Sequence, residues 1–273
     1  MKQLNHRVAV VTGGASGIGR GMAEQFAANG MKVMIADIEA GPREETVEAL
    51  RATGAEVVGI HCDVASAESV ANVAKRVMEV FGAVHVLCNN AGVLRGGFGQ
   101  ATWEKPLSEW EWILGVNLWG VIHGIRSFVP LMLAHGDEGH IVNTASMAGL
   151  IHGTGINGIT KHAVVALSES LYTELQARQA KIGVSVLCPG AVNTRILEAE
   201  RNRPEAPERP LLSPDIQARL AAFTEQIKNG LDPSVVGQIV VHAILCDRFY
   251  VFTHPGLDRI RQRMECILAD GEG

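Results

Sequence analysis

Four polar side chains in the middle of the chain are candidates for chemistry: Asn117, Ser146, Asn157 and Lys161. Ser146 follows an apolar run, and its hydroxyl could donate to a carbonyl or alkoxide oxygen on which charge develops. Lys161 falls in the first turn of a predicted helix, where the helix dipole disfavours a cation, so a ligand-binding role is favoured. Asn117 lies on an apolar helical stripe, where a buried amide must find partners. Asn157 carries a carboxamide, which does not titrate near neutral pH and cannot relay a proton.

A glycine-rich turn near the N-terminus is the second chemical feature. Residues 8–19 read VAVVTGGASGIG, a β-branched strand that runs into a turn and then into a helix. The turn contains Gly13, Ser16, Gly17, Ile18 and Gly19. Its glycines allow a tight turn and close approach of the backbone to a pyrophosphate, to which the helix N-terminus offers N–H donors. A strand before the turn and a helix after it predict a dinucleotide site rather than an incidental turn.

Asp37 closes the second predicted strand, eighteen residues after Gly19. A carboxylate at this place hydrogen-bonds the ribose hydroxyls and repels a 2′-phosphate, which favours NAD over NADP. No basic residue precedes Ile18 in the turn or follows Asp37 directly to receive such a phosphate. The alternative role of Asp37 is to cap the helix that follows.

The elements that position these residues alternate between short β-branched runs and amphipathic stretches. The strands are predicted at Arg7–Val11, Lys32–Ala36, Glu56–His61, Val84–Cys88, His140–Asn143, Gly183–Leu187 and Tyr250–Phe252. The helices are predicted near 17–29, 42–53, 66–81, 107–134, 157–178 and 233–246. This alternation predicts an α/β fold, a Rossmann-type doubly wound parallel sheet with helices on both faces. We expect one domain, 1–273, with ligand chemistry at the carboxyl ends of the strands.

Residues 193–229 interrupt the alternation with many charges and the four prolines Pro204, Pro207, Pro210 and Pro214. A long insertion of this kind in a compact domain is often a lid or a mobile loop. We therefore expect a lid over the substrate, with a solvated surface excursion as the alternative.

Composition excludes several classes of function. Hydrophobic residues make up 47% and charged residues 19%, with a net charge of -5, so no general attraction to nucleic acid or anionic membrane is expected. No apolar run of membrane-spanning length and no signal peptide is predicted. The five cysteines are widely spaced without a CxxC pair, which favours reduced thiols in the cytoplasm over disulfides or a metal site.

Motifs along residues 5–195 resemble the short-chain dehydrogenase/reductase family. TGGASGIG at 12–19 matches the TGxxxGIG turn of the family, NNAG stands at 89–92, and PGAVNT at 189–194 is similar to its PGxVxT segment. The resemblance implies NAD binding through Asp63, Val64, Asn90, Ala91, Gly92, Pro189, Gly190, Val192 and Thr194. It also places Lys161 on the nicotinamide ribose.

The same resemblance implies hydride transfer between a secondary alcohol and a ketone. Ser146 would orient the oxygen, and Asn117 would hold a water that bridges to Lys161. The family places a tyrosine four residues before this lysine, where this chain has Asn157. The eleven-residue spacing from Ser146 to Asn157 is shorter than is usual in the family.

Several explanations of this departure stay open. An active enzyme could use a bound water or His152 as proton donor, since histidine has a suitable pKa. The protein could instead bind NAD without turnover, or the residue could have been changed in an otherwise active enzyme. Asn157 itself could cap the helix that starts there or hydrogen-bond a substrate oxygen.

Two further expectations concern partners. The family usually assembles as homodimers or homotetramers through the helices after the fourth and fifth strands, here 107–134 and 157–178. Four tryptophans near the first of these, Trp103, Trp110, Trp112 and Trp119, suggest a bulky apolar or aromatic substrate. Aromatic residues at helical spacing are more often core or interface, which is the alternative.

Overall fold

Seven parallel strands form one sheet in the computed structural model, which describes residues 1–94, 100–204 and 213–271. The strands are β1 (Val8–Thr12), β2 (Lys32–Asp37), β3 (Val57–His61), β4 (Val86–Asn89), β5 (Gly139–Thr144), β6 (Ile182–Cys188) and β7 (Tyr250–Phe252). Their spatial order is β3-β2-β1-β4-β5-β6-β7. Every residue of β1, β4 and β5 is buried. The sequence of β1 is accordingly almost entirely apolar, whereas β5 also buries the polar residues His140, Asn143 and Thr144. The predicted doubly wound sheet is confirmed.

Helices cover both faces of this sheet. Those in the described ranges are α1 (Gly17–Ala28), α2 (Ala40–Ala52), α3 (Ala67–Phe81), α4 (Leu107–Leu114), α5 (Gly120–His135), α6 (Gly155–Ala177), α7 (Pro214–Lys228), α8 (Pro233–Leu245) and α9 (Asp258–Gly271). Alternate residues of β1 enter opposite cores. Val11 packs in the cluster that includes Phe26 of α1 and Val236 of α8, whereas Val10 packs in the cluster that includes Val73 of α3 and Phe128 of α5. This alternation follows from the two-residue period of a strand.

The order of the strands reverses between β1 and β4. From β1 the chain proceeds outward through β2 and β3, and it then returns to place β4 on the other side of β1. The crevice at the carboxyl ends of β1 and β4 is therefore the topological switch point, where open α/β sheets bind ligands. The glycine-rich turn after β1 and the NNAG segment after β4 both lie at this crevice.

Several boundaries differ from the predicted ones. The predicted helix 107–134 contains a π-helical segment, Gly115–Trp119, between α4 and α5. The segment 193–229 contains a 3-10 helix, Ile196–Asn202, and all of α7, while 205–212, with two of its four prolines, lie outside the described residues. α9 was missed because it buries no residue and therefore lacks a core-facing pattern to recognise.

The sequence predicts no apolar run of membrane-spanning length, and one helical stretch among the described residues, Leu107–His135, bears on that expectation. By length and composition alone this helical stretch could cross a membrane. It instead packs against β4, α3 and α6, and it carries a fully buried asparagine, Asn117, in its middle. These contacts are typical of a helix that covers a sheet, and length alone is weak evidence for a membrane span.

Candidate cofactor and reaction site

The glycine-rich turn leads into the N-terminus of α1. Gly17 has a positive φ of 52°, and a Cβ there would lie 2.9 Å from the methyl group of Thr194. A Cβ on Gly19 would lie 2.0 Å from the Gly13 carbonyl oxygen. Ser16 is the N-cap but makes no capping hydrogen bond, and the first turn has no acidic residue. The positive end of the helix is therefore left for an anion, which fits the diphosphate of a dinucleotide.

Asp37 ends β2 beside this turn, as its position in the sequence predicted. Its Oδ2 accepts from the Ala15 N–H (2.9 Å) and its Oδ1 accepts from the Glu39 N–H (3.0 Å). Burial raises the pKa of the Asp37 carboxyl, although these two hydrogen bonds oppose the shift. Asp37 caps no helix, because the N-cap of α2 is Glu39. The carboxylate is thus fixed next to the turn, where it could receive ribose hydroxyls.

Asn90, in the NNAG segment, connects the turn to the end of β5. Its Nδ2 donates to the carbonyl oxygens of Thr12 (3.1 Å) and Gly13 (3.3 Å). Its Oδ1 accepts from the Thr144 hydroxyl (3.2 Å), and the Thr144 carbonyl in turn accepts from the Lys161 ammonium (2.9 Å). One chain of hydrogen bonds therefore fixes the lysine relative to the glycine-rich turn.

Lys161 lies in the second turn of α6, not the first, and only 7% of its surface is exposed. Burial lowers the pKa of its ammonium to about 8. A Cβ built on Gly92 would lie 3.5 Å from Lys161 Nζ and 3.4 Å from Asn117 Oδ1. Lys161 and Asn117 therefore flank the backbone of Gly92 at the carboxyl end of β4. Both of these predicted residues, with the NNAG segment, come together at the crevice.

Asn117 lies in the π-helical segment and is fully buried. Its Oδ1 accepts from the Val93 N–H (2.8 Å), and its Nδ2 donates to the Val93 carbonyl (3.0 Å) and the Thr160 hydroxyl (3.3 Å). One donor of the amide thus holds the backbone after NNAG, and the other bonds the Thr160 hydroxyl of α6. The predicted need of a buried amide for partners is met by protein groups. A water held by this side chain would have to use the remaining acceptor capacity of Oδ1.

Ser146 begins the turn after β5 and is half-buried. Its Oγ accepts from the Ala148 N–H (3.1 Å), which leaves the hydroxyl proton to donate to a ligand. The next residue, Met147, donates its N–H to the Pro189 carbonyl (3.0 Å) and so connects the turn to the end of β6. The serine is therefore held at the carboxyl ends of the central strands.

The expectation that a helix starts at Asn157 and is capped by it is wrong. α6 begins at Gly155 with Thr154 as N-cap, and the Thr154 hydroxyl donates to the Ala148 carbonyl (2.9 Å). This contact ties the short loop to the turn after Ser146 and lets the helix begin earlier. Asn157 lies in the first turn, half-buried, and its carboxamide has no hydrogen-bond partner in the described part of the chain.

The segment after β6 contains Pro189, Gly190, Val192 and Thr194. It returns toward the glycine-rich turn, because the methyl group of Thr194 packs against Gly17. Val192 is buried and forms a parallel bridge with Leu231. Asp63 and Val64 follow β3. The buried Val64 side chain packs against Gly120, so a contact of this pair with an adenine would use Asp63 or the backbone.

The segment 193–229, which the sequence predicts to be a lid, makes two contacts that the sequence did not predict. Arg201 forms a bidentate ion pair with Glu39, with Nε–Oε1 and Nη2–Oε2 distances of 2.7 and 2.8 Å. Arg203 lies over the ring of Trp112, with 5.2 Å between the guanidinium carbon and the ring centroid. Glu39 follows Asp37 by two residues, so Arg201 ties the lid to the strand end beside the turn. His152, the candidate proton donor, is exposed and forms no hydrogen bond with a described residue.

Comparison with known proteins agrees with this geometry. The sequence model of the short chain dehydrogenase family matches residues 7–205. A short-chain dehydrogenase/reductase from Burkholderia phymatum, solved in complex with NAD, is 42% identical, with a TM-score of 0.93 over 99% of this chain and 97% of that one.

Two curated relatives are also similar over nearly the whole chain. The CLA biosynthesis dehydrogenase/reductase of Lactiplantibacillus plantarum is 32% identical over 99% of this chain and 96% of its own length. The 1-deoxy-11-beta-hydroxypentalenate dehydrogenase of Streptomyces exfoliatus is 35% identical over 95% of this chain and 87% of its own length.

Proposed function

The chain belongs to the short-chain dehydrogenase/reductase family, and we propose that it is an NAD-dependent oxidoreductase that interconverts a secondary alcohol and a ketone. The observation that carries the proposal is the buried Lys161 ammonium, which is fixed between the ends of β4 and β5 by the Thr144 carbonyl. A lysine at this depth is costly unless a ligand uses its charge.

The residues at the crevice fit a dinucleotide in three places. The uncapped N-terminus of α1 would receive the diphosphate, Asp37 the adenosine ribose hydroxyls, and Lys161 the hydroxyls of the second ribose. A nicotinamide bound there would supply the hydride acceptor or donor. Asp37 is the reason to prefer NAD, because a 2′-phosphate beside a carboxylate is repelled. The similar Burkholderia phymatum structure in complex with NAD supports this preference.

Ser146 would orient the reacting oxygen of the substrate. Its hydroxyl proton can donate toward the carbonyl or alkoxide oxygen, while its Oγ is fixed by the Ala148 N–H. The Lys161 ammonium, with a pKa of about 8, supplies positive charge nearby at neutral pH. These groups stabilise the alkoxide-like charge of the transition state without taking up or releasing the proton of the reaction.

The proton acceptor is the step that Asn157 leaves open. Its half-buried carboxamide can hydrogen-bond the substrate oxygen or a water but cannot take up the proton. His152 is exposed on the loop before α6 and would need to move to reach Ser146. We propose that a water between Asn157 and Lys161 relays the proton between the substrate oxygen and bulk solvent, because both side chains share one face of α6. The second candidate function, an NAD-binding protein with little or no turnover, rests on the same substitution.

Asn157→Tyr tests both candidates, with Asn157→Phe as matched control for ring size. NADH binding is measured by fluorescence, and hydride transfer by NADH absorbance, over a panel of secondary alcohols and ketones. We expect NADH binding in all three proteins, weak turnover in the native chain and about 10²–10⁴-fold faster turnover in Asn157→Tyr alone. NADH binding without turnover in any of them would refute the enzyme proposal. His152→Ala separates the donors, since unchanged turnover removes this histidine.

The exposed faces of α5 and α6 suggest how copies of the chain assemble. Ile159 on α6 is 48% exposed, and Trp119, which precedes α5, is 50% exposed. We propose that these faces form a homodimer interface, because large apolar residues on covering helices favour association. Light scattering after gel filtration should report a dimer or tetramer for the native chain and a smaller species for Ile159→Glu.

A further inference from the structure

Arg203 carries a buried nitrogen without a partner. The residue is half-buried, its Nη2 donates to the Ser108 hydroxyl (3.3 Å), and its guanidinium covers the ring of Trp112. Nη1 is inaccessible to solvent and has no hydrogen-bond partner among the residues that the structure describes. Among the residues described, no carboxylate forms an ion pair with this arginine.

The burial of Nη1 costs free energy, because a buried charged donor without an acceptor loses its hydration and forms no hydrogen bond that replaces it. Proteins normally pair such a group with a carboxylate, which the fork of the guanidinium matches in geometry. The Ser108 hydroxyl is a single neutral partner. The guanidinium therefore has one donor, Nη1, that still lacks an acceptor, and an anion reaches it only when the atoms that cover it move.

The position of Arg203 relates this capacity to the proposed reaction. The ring of Trp112 packs in a small apolar cluster whose buried members include Val93, Ile156 and Ala199. Val93 directly follows Gly92 and is held by Asn117, and Ile156 directly precedes Asn157. Arg203 is thus connected, through the ring of Trp112, to an apolar cluster that contains the chain neighbours of Gly92 and Asn157.

We propose that Arg203 binds a carboxylate of the substrate, so that the substrate is a hydroxy acid or keto acid. The apolar cluster that connects Arg203 to these chain neighbours implies that an apolar segment separates the carboxylate from the carbinol carbon. The inference rests on the proposed oxidoreductase function. It assigns the lid a role in selecting substrates by charge, because Arg203 belongs to the segment that follows the 3-10 helix Ile196–Asn202.

The test compares acids with their own methyl esters. Racemic 5-hydroxyhexanoate, 9-hydroxydecanoate and 10-hydroxyoctadecanoate, each with its ester, are oxidised with NAD by the native chain and by Asn157→Tyr. The same panel is run with Arg203→Gln, Arg203→Lys and Arg219→Gln. Arg219 is an exposed arginine of α7, so the last variant is the matched control for loss of one lid charge. NADH binding is measured for every protein.

We expect kcat/KM for the best acid to exceed that of its ester about 10- to 100-fold, the range for a hydrogen bond to a charged group. Arg203→Gln should remove this preference through KM, Arg203→Lys should restore part of it, and Arg219→Gln should keep it. A stacking role alone would lower turnover of acids and esters equally. If no acid or ester is oxidised, binding of the acids to the NADH-loaded protein is measured by calorimetry instead. Binding to the native chain but not to Arg203→Gln supports the proposal.

Two results would overturn the inference. Equal use of acids and esters with intact NADH binding would refute the role of Arg203 and leave the proposed function standing. A preference for acids that persists in Arg203→Gln would place the carboxylate elsewhere. Loss of NADH binding in the native chain, in contrast, would refute the proposed function itself.

Discussion

Lys161→Met should change how the stability of the protein depends on pH. The ammonium is buried, and burial lowers its pKa to about 8, whereas an unfolded lysine has a pKa near 10.5. Between these values the unfolded chain binds more protons than the folded one, so the free energy of unfolding rises with pH in this window. Below pH 8 both states are protonated, and the full cost of burial is present. Methionine has a similar length and carries no charge, so its burial has no such pH dependence.

The size of the effect follows from the two pKa values. The folded state carries a cost of about 3.4 kcal/mol at pH 7, which falls to about 2 kcal/mol at pH 9. The lost hydrogen bond to the Thr144 carbonyl offsets part of the gain in Lys161→Met, since such a bond to a charged group contributes about 1.5–3 kcal/mol. At pH 7 the two proteins should therefore differ little. By pH 9 the native chain should have gained about 1.3 kcal/mol relative to the variant.

Urea denaturation followed by circular dichroism at several pH values between 7 and 9 measures this difference. The burial of Cys62, Cys88 and Cys188 raises their thiol pKa values, but these groups are shared by both proteins and cancel in the comparison. Lys181→Met, at an exposed lysine, is the matched control and should follow the native curve. A constant difference between Lys161→Met and the native chain across this range would refute the claim that Lys161 is buried with a lowered pKa.

Three further perturbations test other parts of the site. Arg201→Met breaks the ion pair with Glu39. Stopped-flow fluorescence should show NADH dissociating about 3- to 10-fold faster, as expected from a partly buried pair that contributes about 1 kcal/mol. An unchanged dissociation rate would show that the pair does not restrain the cofactor. Asp37→Asn removes the carboxylate, so the ratio of NAD to NADP affinity by calorimetry should fall at least about tenfold if Asp37 faces the ribose. Asn117→Ala leaves the Val93 backbone unpaired, so the free energy of unfolding measured by urea denaturation should fall by about 2–4 kcal/mol. A fall below about 1 kcal/mol would contradict the importance of the two buried hydrogen bonds between Asn117 and Val93.

The sheet could be predicted because its information is local. Each central strand contains a short apolar stretch, and both faces are covered, so period and composition identify it without knowledge of the rest of the chain. Helix ends were less predictable, because tertiary contacts determine them. α6 begins early since the Thr154 hydroxyl bonds the Ala148 carbonyl, a contact within a loop that no propensity describes.

The candidate site divides in the same way. Gly13, Asp37 and Lys161 were found because their places at strand ends and in motifs carry the signal. The contacts that fix them were not found, because they join distant parts of the chain. Thr144 and Asn90 are 54 residues apart, and Arg201 and Glu39 are 162 residues apart. Residues separated by such distances in the sequence share no recognisable spacing, so their contacts could be identified only in the folded structure.

The surroundings of Lys161 bear on what Asn157 changes. An ammonium has three donors, and the Thr144 carbonyl uses one, while the part of the chain that the structure describes offers no partner to the others. A chain that had lost all use for this site would avoid the cost of the buried charge with an apolar residue here, more at neutral than at alkaline pH, apart from that one bond. The unused donors match a ligand with neighbouring hydroxyls, such as a ribose. We therefore expect cofactor binding to depend on Lys161 and the crevice, and the asparagine at position 157 to affect the transfer of the proton.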